Sequence, residues 1–397
     1  MIRYLTAGES HGPELTGIVE GLPAGLTLKS EDIALHLARR QKGYGRGGRM
    51  AFEKDVAEFV SGVRFSKTMG SPVSLKLHNK AFKNDPQDWP KVMAADGNGE
   101  GVDRITIPRP GHADLVGTQK YRLNDVRPVI ERSSARETGM RVACTATARI
   151  FLKHFGIEIG GHVLQIGGVG YDKWDEIREL ADPLTSGGAE NLFRKADESE
   201  VRCLKDDLSQ QMVDEIKVRR KEGTSLGGIY EIVITGVPAG LGSYSQWDRK
   251  LEGQIAQVIM STQAMKGVEI GVGFEAGRRR GHEVHDEITW NSNTSSYGRK
   301  TNRAGGIEGG ISTGMPIIVR GAMKPIPTML KPIDTVDIDT KETVDTRYER
   351  SDVCALPRAV VVIENILAPV IANAFLEKFG GDSIEEIEQR YKVPKND

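Results

Sequence analysis

The sequence predicts an α+β fold in which sheets pack against a helical layer, and three observations lead there. Strand-like apolar runs occur in both halves of the 397-residue chain, and few of them are joined by the short βαβ units that build parallel sheets. Glycine makes up 46 residues, above the usual share of about 7%, and falls between strand-like runs such as Ile229–Ile234 and Ala359–Ile363, as in a chain with many tight turns. No Pro/Ser-rich linker and no long block of like charge divides the chain, so one interwoven domain is expected.

The strands are expected near 3–7, 15–20, 56–62, 72–77, 160–167, 229–236, 268–274, 316–322 and 359–364. Two of them end alike. The run 17–26, closing on Pro23-Ala24-Gly25-Leu26, echoes the run 232–241, closing on Pro238-Ala239-Gly240-Leu241. Each is followed by a helical segment, near 30–40 and 247–262. The echo reads either as a common turn used twice or as two related halves, approximately 1–215 and 216–380, packed with pseudo-twofold symmetry. Ser134-Ala135-Arg136-Glu137 has the form of a capping box and opens a helix to about Phe155, with Met140, Ala143, Cys144, Thr147 and Phe151 as its buried stripe. A last helix is expected over 365–379, stopped by Gly380-Gly381.

The formal net charge is −1, from 54 basic and 55 acidic side chains, which offers no global attraction to nucleic acid or to an anionic membrane. Any bound anion must then be held by local clusters of Arg and Lys. Three widely spaced cysteines, Cys144, Cys203 and Cys354, form no C-x-x-C pair and suit a reducing compartment. The N-terminus lacks a signal-peptide core and no run approaches 18 consecutive apolar residues, so a cytoplasmic protein without a membrane partner is expected.

Some motifs carry less than they promise. Gly43-Tyr44-Gly45-Arg46-Gly47-Gly48 satisfies G-x-G-x-x-G, but a helix precedes it where a dinucleotide fingerprint needs a strand. Together with Arg39-Arg40 it also resembles an Arg/Gly nucleic-acid-binding segment, the alternative function from another class, which would show steep salt-dependent RNA binding. His282 and His285 lack the i, i+4 spacing of a metalloprotease helix and an evident third ligand, so no metal site is expected.

Four clusters can carry chemistry. Gly8-Glu9-Ser10-His11-Gly12 places a histidine at a strand end, suited to proton transfer near neutral pH. Arg39, Arg40, Arg46 and Arg49 could clamp phosphate or carboxylate bidentately. Arg109-Pro110-Gly111-His112-Ala113-Asp114 adds a second histidine, and in Glu131–Glu137 two serines and two arginines converge on a helix N-terminus. Lys324-Pro325-Ile326-Pro327-Thr328 and Arg350-Ser351-Asp352 add a lysine, a hydroxyl and a carboxylate. The set holds basic groups for an anion, two acid histidines and a carboxylate, with no activated nucleophile.

Taken together, these segments resemble chorismate synthases. Gly8–Pro23, Glu131–Thr138 with Val142, and Arg350–Glu364 match family signatures in order, and Arg109–Asp114 and Ala304–Ile311 match as well. The resemblance covers about residues 3–375. It implies a single-domain β-α-β sandwich with an internal pseudo-twofold repeat, antiparallel sheets around a helical layer, and assembly as a homotetramer. It implies an anti 1,4-elimination of phosphate and a ring proton from 5-enolpyruvylshikimate 3-phosphate, giving chorismate and needing reduced FMN without net redox change. By the same resemblance, His11 protonates the leaving phosphate, His112 serves the flavin pyrimidine end, and Asp352 assists proton removal. Ser10, Arg40, Arg46, Arg49, Arg136 and Arg350 would meet substrate. Arg132, Ser133, Ser134, Gln263, Ala264, Gly309, Lys324, Pro325, Ile326, Pro327, Thr328 and Arg350 match FMN-binding positions, although Ile326 and Pro327 stand where many relatives carry hydroxyls. Arg40 and Arg46 also match positions assigned to a pyridine nucleotide, NADPH, which reduces the flavin in some relatives; others rely on a separate flavin reductase.

Overall fold

Alternation along the chain sets the first sheet. In the computed structural model, which describes residues 1–45, 55–84, 87–293, 295–347 and 352–392, β1 (Arg3–Ala7) pairs antiparallel with β2 (Glu14–Glu20), Leu5 facing Ile18 across the ladder. With β3 (Ala57–Ser61) and β6 (Val73–His78) they form a four-stranded antiparallel sheet in the order β1-β2-β6-β3, and a two-strand hairpin, β4 (Val63–Arg64) and β5 (Lys67–Thr68), projects from it. Val73, Leu75 and Leu77 point into the core, whereas Leu5, Ile18 and Val60 are exposed on the other face.

The second sheet is buried on both sides. It runs β10-β15-β9-β7-β8, all antiparallel, from β7 (Glu158–Ile166), β8 (Val169–Gly170), β9 (Gly228–Thr235), β10 (Met265–Ile270) and β15 (Ile317–Met323). Adjacent glycines let helices close on each face. A Cβ on Gly160 would lie 2.0 Å from the Ala189 carbonyl of α8 (Ala189–Asp197), and one on Gly161 would lie 2.7 Å from Val360 of α12 (Leu356–Ile366). Cover on both faces explains why 229–234 reads as a nearly continuous apolar run. Before β9, α7 (Trp174–Thr185) packs beside α8, and α9 (Asp206–Glu222) crosses β8.

Between the sheets lie α1 (Ser30–Arg40), α6 (Glu137–His154), α10 (Leu251–Met260), α12 and α13 (Ala368–Phe379). The α6 helix touches both sheets as well as α1, α12 and α13, and its expected stripe from Met140 to Phe151 is fully buried. At the centre, Glu364 accepts hydrogen bonds from Arg39 (2.5 and 3.0 Å), Arg149 (2.8 Å) and the Gly161 N–H (3.0 Å), joining α1, α6, α12 and β7.

The Pro-Ala-Gly echo extends to individual hydrogen bonds. Thr68 Oγ1 donates to the Pro23 carbonyl and accepts from Leu26 N–H, while the Thr68 carbonyl accepts from Gly25 N–H. Ser312 Oγ donates to the Pro238 carbonyl and accepts from Leu241 N–H, and its carbonyl accepts from Gly240 N–H. Ser312 sits on the hairpin of β13 (Ile307–Glu308) and β14 (Ile311–Ser312), the counterpart of β4 and β5. The orders β1-β2-β6-β3 and β7-β9-β15-β10 then coincide, strand for strand. Corresponding elements run from β1 to α6 and from β7 to α13; a division near residue 215 would cut the second sheet between β7 and β9.

Three local expectations change. Residues 359–364 are helical, not extended. Val360–Ile363 favour strands by β-branching, but α12 is enclosed by the second sheet, α6 and α1, and a helix apolar all round is stable when buried all round. The stretch Leu356–Phe379 is long enough to cross a membrane and contains an 18-residue window with a mean hydropathy of 2.0, but 78% of that window is buried inside the fold. Strand β10 stops at Ile270 and the chain enters a 3-10 turn at Gly273–Arg278. The Ser134–Glu137 capping box does not form, because Glu137 is drawn to Thr6, Arg141 and Gln263.

The other elements are two peripheral hairpins, β11 (Ile288–Asn291) with β12 (Ser296–Arg299) and β16 (Asp334–Val336) with β17 (Thr343–Asp345), and the helices α2 (Ala81–Asn84), α3 (Trp89–Val92), α4 (Asp114–Tyr121), α5 (Arg127–Arg132), α11 (Gly281–Val284) and α14 (Ile384–Lys392).

Candidate active site

The loops after β1, β6 and β15 and before β10 emerge at the same ends of the two sheets, and α5, α6 and α10 aim termini into that region. The 8–12 loop is fastened first. Ser10 N–H bonds the Glu131 carbonyl (3.1 Å), and Asn79 Nδ2 bonds the carbonyls of Glu9 (3.2 Å) and Gly12 (2.7 Å). His11 N–H donates to Glu131 Oε2 at 2.8 Å, and His11 Nδ1 lies 2.9 Å from both Glu131 oxygens. The imidazole stacks on Trp89, with centroids 3.8 Å apart and planes 6° from parallel. Ser134 Oγ donates to Ser10 Oγ (3.1 Å), and Arg132 holds the Thr6 and Gly8 carbonyls.

The arginines expected at substrate are braced from behind. Arg40 is buried and bonds Thr138 Oγ1 and the Ala135 carbonyl, with Asp55 3.7 Å away. Arg136 bonds Asn79 (2.8 Å) and Asp55 (2.5 Å). Two guanidinium groups around one carboxylate leave a local positive excess, which suits an anion. Arg39 serves elsewhere: its guanidinium is spent on Glu364 and Asp197 in the core. It therefore leaves the expected basic clamp, because a cation buried with two carboxylates is structural. Arg46, Arg49 and Arg350 lie outside the described residues.

A chain of contacts leads from Glu137, which accepts from Thr6 Oγ1 at 3.0 Å, to the loop of the second histidine. Burial works to raise the Glu137 pKa, but Arg141, aided by Gln263 and Thr6, holds it below the usual carboxylate value. Gln263 donates to Glu137 through Nε2 (3.1 Å), while its buried Oε1 has no hydrogen-bond partner among the described residues. Ala264 follows with φ +67°, a left-handed conformation that an alanine seldom adopts, and its carbonyl accepts from Lys324 N–H at 3.0 Å. Lys324 Nζ in turn donates to the Gly111 carbonyl. Beside Gly111, His112 Nδ1 is 2.5 Å from Asp114 Oδ1, and Arg109 grips the same carboxylate through Nε (2.8 Å). Burial pushes Asp114 up, but hydrogen bonds from His112 and Arg109 hold it well below the normal range.

The rest of the expected set falls in two groups. Ser133 continues the turn beside Arg132 and Ser134, and the Lys324–Thr328 loop is anchored by Ser225 Oγ on the Ile326 carbonyl (2.6 Å). Next to Ser225, Leu226 N–H bonds the Val353 carbonyl and Val353 N–H bonds the Gly45 carbonyl, which ties Asp352, paired with Arg358, to the same region. Gly309 is not gathered in. It occupies the turn of the β13–β14 hairpin at the start of α10, where Gly310 accepts from Leu251 N–H. The ten-residue α10 puts roughly 15 Å between that end and Gln263.

Sequence reasoning assigned no role to Trp89, Asp55 or Asn79. Their signal was absent, since each acts on residues far along the chain. Glu131 and Asp114 stood inside quoted motifs, and a carboxylate flanking each histidine segment was the available clue.

A family model described as chorismate synthase matches residues 2–376. The chain is 51% identical over 399 residues to the chorismate synthase of Salinibacter ruber, covering 100% of this chain and 99% of that one. It is 53% identical over 391 residues to that of Geobacillus thermodenitrificans, covering 98% and 97%. A crystal structure of chorismate synthase superposes with a TM-score of 0.77 at 42% identity, covering 98% of this chain and 96% of the other.

Proposed function

This chain belongs to the chorismate synthase family, a group of carbon–oxygen lyases of the shikimate pathway, and on that premise we propose that it eliminates phosphate and a ring proton, in the anti 1,4 sense, from 5-enolpyruvylshikimate 3-phosphate to yield chorismate, with reduced FMN as cofactor. The observation that carries the proposal is the pair of histidines, each on a low-exposure carboxylate, linked through Glu137, Gln263, Ala264 and Lys324 at one end of the fold.

The residues present fit a flavin. The orphaned Gln263 Oε1 suits an N–H at a ring edge, and Arg132 and Lys324 are cations for a phosphate or an anionic ring. Arg132, Ser133, Ser134, Gln263, Ala264 and the Lys324–Thr328 loop would hold it. Reduced FMN would supply the electron-rich centre that eases departure of phosphate from a weakly acidic C–H system. The protein's own part is to balance charge and to move protons. Arg40 and Arg136, with Asp55 behind them, offset the substrate anions. His11 gives a proton to the phosphate oxygen as the C–O bond breaks, His112 holds a proton on the side of the cleft near Lys324, and Asp352 assists removal of the ring proton. The family reading extends to a homotetramer in the cytoplasm.

The test is anaerobic turnover of 5-enolpyruvylshikimate 3-phosphate with chemically reduced FMN, following chorismate by absorbance. Product with reduced flavin and none with oxidised flavin is expected. Tight flavin binding without product would overturn the substrate assignment.

A further inference from the structure

We propose that Glu131 and Trp89 are positioning residues that fix the orientation and tautomer of His11, so that Nε2 is the atom presented for proton transfer. This rests on the reading of His11 as the acid for the leaving phosphate.

Both carboxylate oxygens of Glu131 lie 2.9 Å from His11 Nδ1, and one of them also accepts the His11 backbone N–H at 2.8 Å. Backbone and ring are therefore registered on a single group. The Glu131 side chain is 2% exposed and that of His11 16%, so solvent and substrate reach the histidine and not its partner. A carboxylate can only accept, so the neutral imidazole keeps its proton on Nδ1 and leaves Nε2 to take up and release one.

Trp89 and the carboxylate divide the task. The χ2 torsion of histidine is broad and roughly two-fold: Glu131 selects between the two half-turns, because one of them would set a carbon against the carboxylate, while the indole narrows the breadth of the well. The indole, stacked at 3.8 Å and 6°, fixes the plane of the ring. Its own seat is firm: Trp89 is 6% exposed, Asp88 caps its helix through Lys91 N–H, and the Arg127 guanidinium lies 5.9 Å from the indole centroid.

Glu131→Gln tests the inference, because the amide oxygen still accepts the His11 backbone N–H while the charge is lost. The readouts are the imidazole 15N signals of the free enzyme and the split between kcat and KM. Wild type should show neutral His11 protonated at Nδ1. Glu131→Gln should mix the tautomers and lower kcat by about 10- to 10³-fold with KM within about twofold, and Glu131→Asp should recover part of the loss. Trp89→Leu should retain the Nδ1 proton but broaden the ring signals, and it serves if Glu131→Gln does not fold. Wild-type 15N signals in both variants would overturn the proposal. Mixed tautomers with unchanged turnover would uphold the positioning and remove His11 from the proposed chemistry.

Discussion

Replacing Glu364 with Gln removes the carboxylate that Arg39 and Arg149 share at the centre of the fold. Burial drives Glu364 towards the neutral acid, yet Arg39 and Arg149 hold its pKa down from 4.5 to about 2. At about 1.4 kcal/mol for each tenfold change in the protonation equilibrium, that depression makes the ionised form worth about 3 kcal/mol to the folded state. Removing one partner of a buried ion pair costs about 3–5 kcal/mol in general, a range that agrees. The expected loss for Glu364→Gln is therefore about 3 kcal/mol, read from urea unfolding at pH 7 and fixed protein concentration. The sign of the pH dependence follows. A depressed carboxylate contributes fully above its unfolded pKa and loses that contribution as pH falls towards the folded value. The gap between wild type and variant should thus narrow from pH 5 to pH 3. A loss under 1 kcal/mol, or a gap that ignores pH, would refute the reasoning and return Arg39 to the ligand-binding candidates.

The remaining predictions concern the site and its supports. His11→Ala and His112→Ala should each lower turnover by about 10²- to 10⁴-fold while keeping the wild-type circular dichroism spectrum; near-normal turnover in either would remove that histidine's role. Gly17→Ala would set a Cβ 2.3 Å from Cys144 Sγ and 2.7 Å from Met140 Cε, where β2 meets α6. Overpacking of that kind costs about 1–3 kcal/mol, and an unshifted Tm would contradict the close approach. Burial pushes the Cys144 and Cys354 thiols up to about 12 and also raises Cys203. The native protein should accordingly show no fast reaction with an aromatic disulfide reagent at pH 8, and three reactive thiols once unfolded; a rapid thiol in the native state would show one of these sites to be open.

Much of the frame was legible because its signals are local. The alternation at 73–77, the Pro-Ala-Gly turns and the stripe from Met140 to Phe151 each lie within one short stretch of chain, and each became the element expected. Local signals also misled. The β-branched run 360–363 looks extended until its burial on every side is known, and Ser134-x-x-Glu137 looks like a cap until Arg141 and Gln263 are seen to take the carboxylate. The candidate site was readable only as separate motifs; the fold gathers the segments of His11, His112, Arg132, Arg136, Gln263 and Lys324 into one region.

By itself the sequence determined where strands and helices could begin, which residues were able to carry protons or bind anions, and the family those motifs resemble. Tertiary structure alone decided how each charge is used. Arg39 and Arg40 are neighbours with the same chemistry, yet Arg39 meets Glu364 across 325 positions and is locked in the core, while Arg40 meets Thr138 across 98, beside Asp55 and the start of α6. Their positions on α1 turn them to different surroundings. A charge takes its role from the counter-charges and the dielectric that folding brings to it, and no short stretch of sequence contains either.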